Sequence, residues 1–315
     1  MALRIKAIKG KHYYYLDFSY FIAKKSKTFS KYIGLKKPPR IRLSKIGHDF
    51  KSEIILKLAG KNYTTEFVSK DDLIKALLFR DAFDKKFASL STIQKRQHEV
   101  DSTLIFTLTT LVTEDIDVTL RDVCRALEKT TKLTMREQIS KNMLNAIKSI
   151  KHTHTLDKKY ILDLHKTIMA GVEEKTPGNI RHRQVYLHIR DSENPSGREI
   201  SYRPPHFTKV NSQLETFVKW YNSTKLNPIE KAVQTHYRIY KIHPFLDGNK
   251  RICRLLLNKT LIDAGFSLLN VSVKKDAYFQ SLIESVEKDN TKILTNFMLK
   301  EFLRQVREFL NNVSK

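Results

Sequence analysis

Between His243 and Arg254, the stretch "IHPFLDGNKRICRLLLN" (residues 242–258) sets a histidine, a carboxylate, a Gly-Asn pair and two arginines within twelve positions. Each type has its own chemistry. Histidine is the side chain that works as a base near neutral pH. Two guanidinium forks bind phosphate oxygens. Arg251 and Arg254, three apart, share one face of the helix that the apolar run predicts. A helix start also offers free N–H groups and the positive end of the dipole, which together bind anions. Gly248 lets backbone approach such an anion, and Asn249 can cap the helix or donate. Asp247 would repel a phosphate unless a cation bridges them, and Mg²⁺ on one carboxylate plus phosphate oxygens is the usual bridge. His243 is left as a base at the rim. The residues thus suggest a nucleotide-phosphate site. A structural histidine, a solvated arginine pair and a simple Asp-Gly turn remain equally open.

The surrounding sequence says what must hold this loop. "NPIEKAVQTHYRIYKI" reads as a helix with Asn227 as N-cap, Pro228 in its first position and Glu230 completing a capping box. The helix after the loop is closed by Gly265. From Ser69, with Asp72 three residues on, the period is helical. Further helices are expected over roughly 92–112, 119–129 and 134–150, with Thr119 to Asp122 as one start. "RQVYLHIRDSENPSGREISYRPP" alternates, turns at Asn194-Pro195-Ser196-Gly197 and alternates again, predicting a β-hairpin over about 184–203. The first sixty-odd residues read as two or three antiparallel strands ending near Pro38-Pro39. "IILKLAGKNYTTEFV" fits a further strand or a helix. The expected fold is mainly α, with a small β-rich region at 1–68, a helical region at 69–150 and the site-bearing core at 151–315.

Across 315 residues, 58 Lys and Arg face 33 Asp and Glu, a net charge of +25. Such a field attracts polyanions. The cations are spread along the chain, so a Lys-rich solvated surface comes ahead of nucleic-acid binding, which stays a candidate partnership. Tyr13, Tyr14 and Tyr15 could stack bases, although packing on a small sheet is their commoner use. No apolar run approaches the ~18 residues of a membrane span, and the first residues lack a signal-peptide pattern. Cys124 and Cys253 lie far apart without metal-ligand spacing, which predicts a reduced, cytoplasmic protein.

"HPFLDGNKRICR" resembles the signature of the Fic (filamentation induced by cAMP) family, His-x-Phe-x-Asp/Glu-Gly-Asn-Gly/Lys-Arg-x-x-Arg. "ILDLHKTIMAGV", "PGNIRHRQVYL", "YRPPHFTKV" and "THYRIYKIHPF" resemble the family's flanking segments in order, so the likeness covers roughly residues 100–300. It implies a helical fold with a hairpin flap, and transfer of AMP from ATP to a Ser, Thr or Tyr hydroxyl of a target protein, or of the chain itself. By position, His243 would be the base and Asp247 the Mg²⁺ ligand. Gly248, Asn249 and the helix start would form the anion hole, with Arg251 and Arg254 on the distal phosphates and Phe245 anchoring the loop. Gln184, Val185 and Tyr186 are the flap residues expected to align the target backbone.

Lys250 stands where well-known adenylyltransferases carry Gly, and Lys occurs there in Doc-type phosphotransferases. Gly248 and the second arginine, both absent from that type, favour AMP transfer, with Lys250 an added charge on the nucleotide. The family's inhibitory pattern, Ser/Thr-x-x-x-Glu-Gly/Asn, is matched in part by Thr110-x-x-x-Glu114-Asp115. A register from Ser102 would put Phe106 in the glutamate's place, but the spacing to Thr119 favours Glu114. The resemblance then implies that Glu114 pairs with Arg254 and restrains transfer. It also leaves open a phosphotransferase or a de-adenylylase on the same fold. Tyr278, near Lys275 and Phe279, lies where relatives line the adenosine pocket. His152 and His154 form a His-x-His without a third metal ligand, and His236 is expected to pack or to hydrogen-bond behind His243.

Overall fold

The computed structural model describes residues 1–22, 25–128, 131–152, 155–172, 176–190 and 199–312. Strands β1 (Ala2–Ile8), β2 (Lys11–Ile22) and β3 (Lys25–Gly34) form an antiparallel meander. Lys9 and Gly10 make the first turn, both at positive φ (45° and 71°). That is the pattern of a tight hairpin whose twist matches its strands. Leu16, Phe18 and Tyr20 face inward and are buried with Phe50 and Ile54 of helix α1 (Arg40–Asn62). Residues 54–62 therefore belong to a helix, resolving the open reading of "IILKLAGKNYTTEFV". The buried positions Gly47, Phe50, Ile54, Ile55 and Ala59 follow the helical period, which a strand could not serve. The β-rich character ends at Gly34.

Helix α2 (Lys70–Ser89) starts where Ser69 accepts from the Asp72 N–H. Then come α3 (Thr92–Val112), α4 (Leu120–Glu128), α5 (Met135–Lys151) and α6 (Lys158–Ile168). Strands β4 (Leu187–Arg190) and β5 (Glu199–Tyr202) pair from Leu187 with Tyr202 to Arg190 with Glu199. The hairpin is real but shorter than the alternation suggested. Its expected turn, residues 194–197, lies outside the described residues, as does His154. Helices α7 (Val210–Ser223), α8 (Pro228–Ile242), α9 (Asn249–Asp263), α10 (Lys275–Glu287) and α11 (Lys292–Asn312) complete the chain. Among the described residues, no helix is long and apolar enough to cross a membrane.

Helix α9 is the axis of the molecule, buried on every side from Arg251 to Leu261. Helices α3, α5, α6 and α8 surround it, enclosing polar residues such as Arg254, Asn258 and Lys259 along with its leucines. Helix α8 begins as predicted at Asn227, whose side chain accepts from the Ile229 and Glu230 N–H groups. Glu230 does not close the expected capping box. Its buried carboxylate instead accepts N–H bonds from Glu66, Phe67 and Val68 at 2.6–3.0 Å, which ties the segment after α1 to the core. Three donors on one buried carboxylate offset its desolvation better than one capping bond would.

Candidate active site

Helix α8 ends at His243, held in the left-handed region (φ 48°, ψ 62°). A non-glycine residue there costs about 1–2 kcal/mol. Two bonds hold it: the His243 N–H donates to Ile239 (2.9 Å), and its carbonyl accepts from Arg181 Nε (2.8 Å). His243 is 8% exposed, and its ring lies in hydrogen-bond reach of the Tyr240 backbone. Burial, then the neighbouring Arg181 charge, push its pKa down to about 4. The imidazole is therefore neutral at pH 7 and able to take a proton.

The loop after it is fixed from three sides. Phe245 is fully buried and stacks on His165, ring centroids 3.7 Å apart and nearly parallel. The Asn249 side chain accepts from the Phe245 N–H (2.9 Å) and donates to the Phe245 carbonyl (2.8 Å). The Asn249 side chain therefore closes the loop, and its backbone N–H lies at the start of α9. The Gly178 N–H donates to His165 Nδ1 (2.9 Å), so Nε2 carries the proton and donates to the Asp247 carbonyl (3.1 Å). Burial lowers the His165 pKa to about 4, keeping that neutral tautomer. Gly248 starts α9 at φ 73°. A Cβ there would lie 3.1 Å from Met169 Sδ and 3.2 Å from Ile168 Cδ1.

The Asp247 side chain is 42% exposed, with Oδ1 accepting from the Gly248 N–H (2.6 Å) and lying 3.6 Å from Arg251 Nη2. Among the described residues, no three His, Cys, Asp or Glu gather around a common point. One half-exposed carboxylate suits Mg²⁺, which keeps waters and takes its remaining oxygens from phosphates. It does not suit a metal that needs an all-protein cage.

Glu114 sits on both arginines of α9. Its Oε1 lies 2.5 Å from Arg254 Nη2 and its Oε2 lies 3.1 Å from Arg251 Nε. Sequence reasoning paired it with Arg254 alone, but the carboxylate takes both guanidinium groups. Side-chain exposure is 9% for Glu114, 5% for Arg251 and 0% for Arg254. Arg254 also donates to the Thr110 carbonyl in the last turn of α3 (3.0 Å), where the helix dipole favours a cation. Its guanidinium also lies beside the buried Tyr278 hydroxyl. Asp115 follows at φ 58° and accepts from Lys275 Nζ at 3.1 Å. The turn needs a left-handed residue there, and Asp tolerates it as Gly or Asn would. Phe106 is fully buried in the core, so the alternative register does not bring a residue to the arginines.

The remaining expected residues differ in how they are placed. Lys250 is half-buried with Nζ 5.2 Å from the Phe279 ring centroid, and burial lowers its pKa while Glu114 opposes the shift. Tyr278 is 1% exposed, and its hydroxyl lies 2.7 Å from His236 Nε2. It is a core residue beside Arg254 rather than an open wall for a base. Fully buried His236 is held neutral, its pKa pushed to about 3 by burial and by Arg254. Gln184, Val185 and Tyr186 precede β4 instead of lying in it. Gln184 donates inward to the Val185 and Pro204 carbonyls (3.1 and 3.0 Å), Val185 is half-buried, and Tyr186 is 59% exposed.

His165 and Arg181 were singled out by no spacing. Arg181, 2% exposed, donates to the carbonyls of His243, Arg183 and Pro205, and its own N–H donates to Pro244 (2.9 Å). It joins the base of the hairpin to the His243 loop. Both lie inside the quoted segments "ILDLHKTIMAGV" and "PGNIRHRQVYL", and no periodicity sets them apart from their neighbours.

Residues 155–261 match the model of the Fic/DOC family. The protein adenylyltransferase fic-1 of Caenorhabditis elegans is 34% identical over 126 residues, 39% of this chain and 22% of that protein. The protein adenylyltransferase Fic of Drosophila erecta is 36% identical over 111 residues, 34% of this chain and 20% of that protein. The matches thus span about a fifth of those relatives' length. In fold, the chain is similar to a Fic family protein from Desulfovibrio desulfuricans, with TM-score 0.66 and 17% identity over 80% of this chain and 78% of that one. It is also similar to Fic-1 from C. elegans, with TM-score 0.63 and 18% identity over 88% and 79%.

Proposed function

From the match of residues 155–261 to the Fic/DOC family model, we propose that the chain is a protein adenylyltransferase restrained by its own Glu114. It transfers AMP from ATP to a Ser, Thr or Tyr hydroxyl on a target protein or on itself. The single observation that carries this reading is the Glu114 carboxylate seated on both Arg251 and Arg254. Two buried guanidinium groups already hold an anion there, and a polyphosphate is the anion whose geometry they match.

In this reading His243, neutral and at the rim, takes the proton as the target oxygen attacks the α-phosphorus. The bond from that phosphorus to the β-bridging oxygen breaks, and pyrophosphate leaves with the electron pair. Gly248 and the start of α9 face the α-phosphate, and Arg251 and Arg254 hold the distal phosphates. Asp247 is the carboxylate that would hold Mg²⁺, which when bound supplies positive charge against the phosphate oxygens. Lys250 adds a point charge beside the nucleotide. Tyr186 and the β4 edge meet the target. Residues 69–150 carry the brake and 151–315 the transfer chemistry. A cytoplasmic setting fits the two free cysteines. Intact-mass measurement of acceptor protein after incubation with ATP tests the reading. An AMP adduct is the expected product, whereas a phosphate adduct contradicts it.

A further inference from the structure

We propose that the outer face of the N-terminal sheet is a docking surface for duplex DNA. Residues 1–45 contain thirteen Lys or Arg and one carboxylate, Asp17. The strand register sorts them. Arg4, Lys6, Lys11, Tyr13, Tyr15 and Tyr32 share the face opposite α1. Lys9 lies in the adjoining turn. Gly34 pairs with Tyr14, so Lys36 and Lys37 leave the sheet at that same end. Lys6, Lys9, Lys11, Lys36 and Lys37 are all exposed. This is a dense array of cations with no packing role, of the kind that releases counterions from a phosphate backbone.

The one carboxylate does not oppose it. Asp17 accepts from Arg4 Nε (2.6 Å), from Arg4 Nη2 (3.2 Å) and from Ser30 Oγ (2.6 Å). The same contacts fix the Arg4 guanidinium 5.0 Å over the Tyr15 ring while its side chain stays 46% exposed. A braced guanidinium with Nη1 left over is suited to a base edge or a phosphate. The basic residues Arg4, Lys6 and Lys11 lie on the β1–β2 pair, and a two-stranded ribbon fits a major groove about 12 Å wide.

Single strands fit less well. They bind by stacking bases on open ring faces. Here Arg4 covers Tyr15, and Tyr13 and Tyr15 lean on Tyr32 at 6.1 and 5.4 Å in tilted contacts. The three tyrosines form a cross-strand ladder that stiffens the face.

The test is fluorescence anisotropy of the full chain with a mixed-sequence DNA duplex over a salt series, with the matching single strand and polyglutamate as separate arms. Lys6→Glu with Lys11→Glu is compared with Lys148→Glu with Lys219→Glu, an equal charge change at exposed sites elsewhere. The sheet variant is expected to weaken duplex binding about tenfold or more and to flatten the salt slope by about two. The control pair should stay within about twofold. The proposal is overturned by absence of duplex binding at low salt, by equal losses in both variants, or by binding of the single strand or polyglutamate as tight as that of the duplex.

Discussion

Glu114 Oε1 sits 2.5 Å from Arg254 Nη2, in a pair that is 9% exposed on the acid side and closed to solvent on the other. Removing one member of such a buried pair leaves an uncompensated charge and typically costs about 3–5 kcal/mol. Glu114→Gly should therefore lower the melting temperature of the nucleotide-free protein, and ATP should restore much of the loss by occupying the arginines. Thermal denaturation with and without ATP measures this. A variant as stable as wild type, and indifferent to ATP, would contradict the assigned clamp.

His243→Ala should abolish transfer, with a rate loss of about 10²–10⁴, while ATP binding persists. The ring makes one packing contact of note, edge-on to Tyr240 at 6.2 Å, and it holds no phosphate donor in place. Parallel transfer and nucleotide-binding assays separate the two effects. Near wild-type transfer in the variant would remove His243 from the chemistry.

The pH profile should carry the mark of burial. With its pKa near 4 in place of 6.5, His243 is already neutral throughout the mildly acidic range. The acid limb of kcat/KM in Glu114→Gly should fall well below pH 6.5. The sign for stability follows: a histidine whose folded pKa is depressed contributes fully above its unfolded value and loses that contribution as pH falls from about 6.5 toward about 4. His165, His236 and His243 all behave this way, so the melting temperature should drop across that window. A kinetic limb at 6.5 would mean that the base is solvated in the working enzyme.

Gly248→Ala should impair both stability and transfer. The left-handed backbone costs a substituted residue about 1–2 kcal/mol, and the new methyl must displace Ile168 or Met169 at the start of α9. Calorimetry alongside the transfer assay checks it. A neutral substitution would show that this turn can rearrange.

Much of this architecture could be read from the residues because its signals are local. Ser69, Thr119 and Asn227 begin helices where their side chains reach nearby N–H groups. The hairpin followed from alternation. Glu114 stood out by its resemblance to the family's inhibitory pattern, but its grip on Arg251 as well as Arg254 depends on how α3 lies against α9. The same holds for Glu230, whose nearby capping partner lost to three N–H groups more than 160 residues away in sequence. His165 and Arg181 escaped notice because their work is done on carbonyls of the His243 loop, and sequence spacing carries no trace of a carbonyl's position. Residues 54–62 stayed ambiguous because β-branched Ile54 and Ile55 suit a strand, and only the sheet packed against them selected the helix.

The central claim is a transfer site held shut by Glu114, and the most direct test compares wild type with Glu114→Gly at saturating ATP, with label at the α- or the γ-phosphate. The prediction is protein-bound label from α-labelled ATP only, faster in Glu114→Gly than in wild type. Arg254→Ala should not reproduce the gain, since it removes the phosphate contact along with the brake. Label arriving from γ-labelled ATP alone, or a Glu114→Gly variant no faster than wild type, would contradict the account.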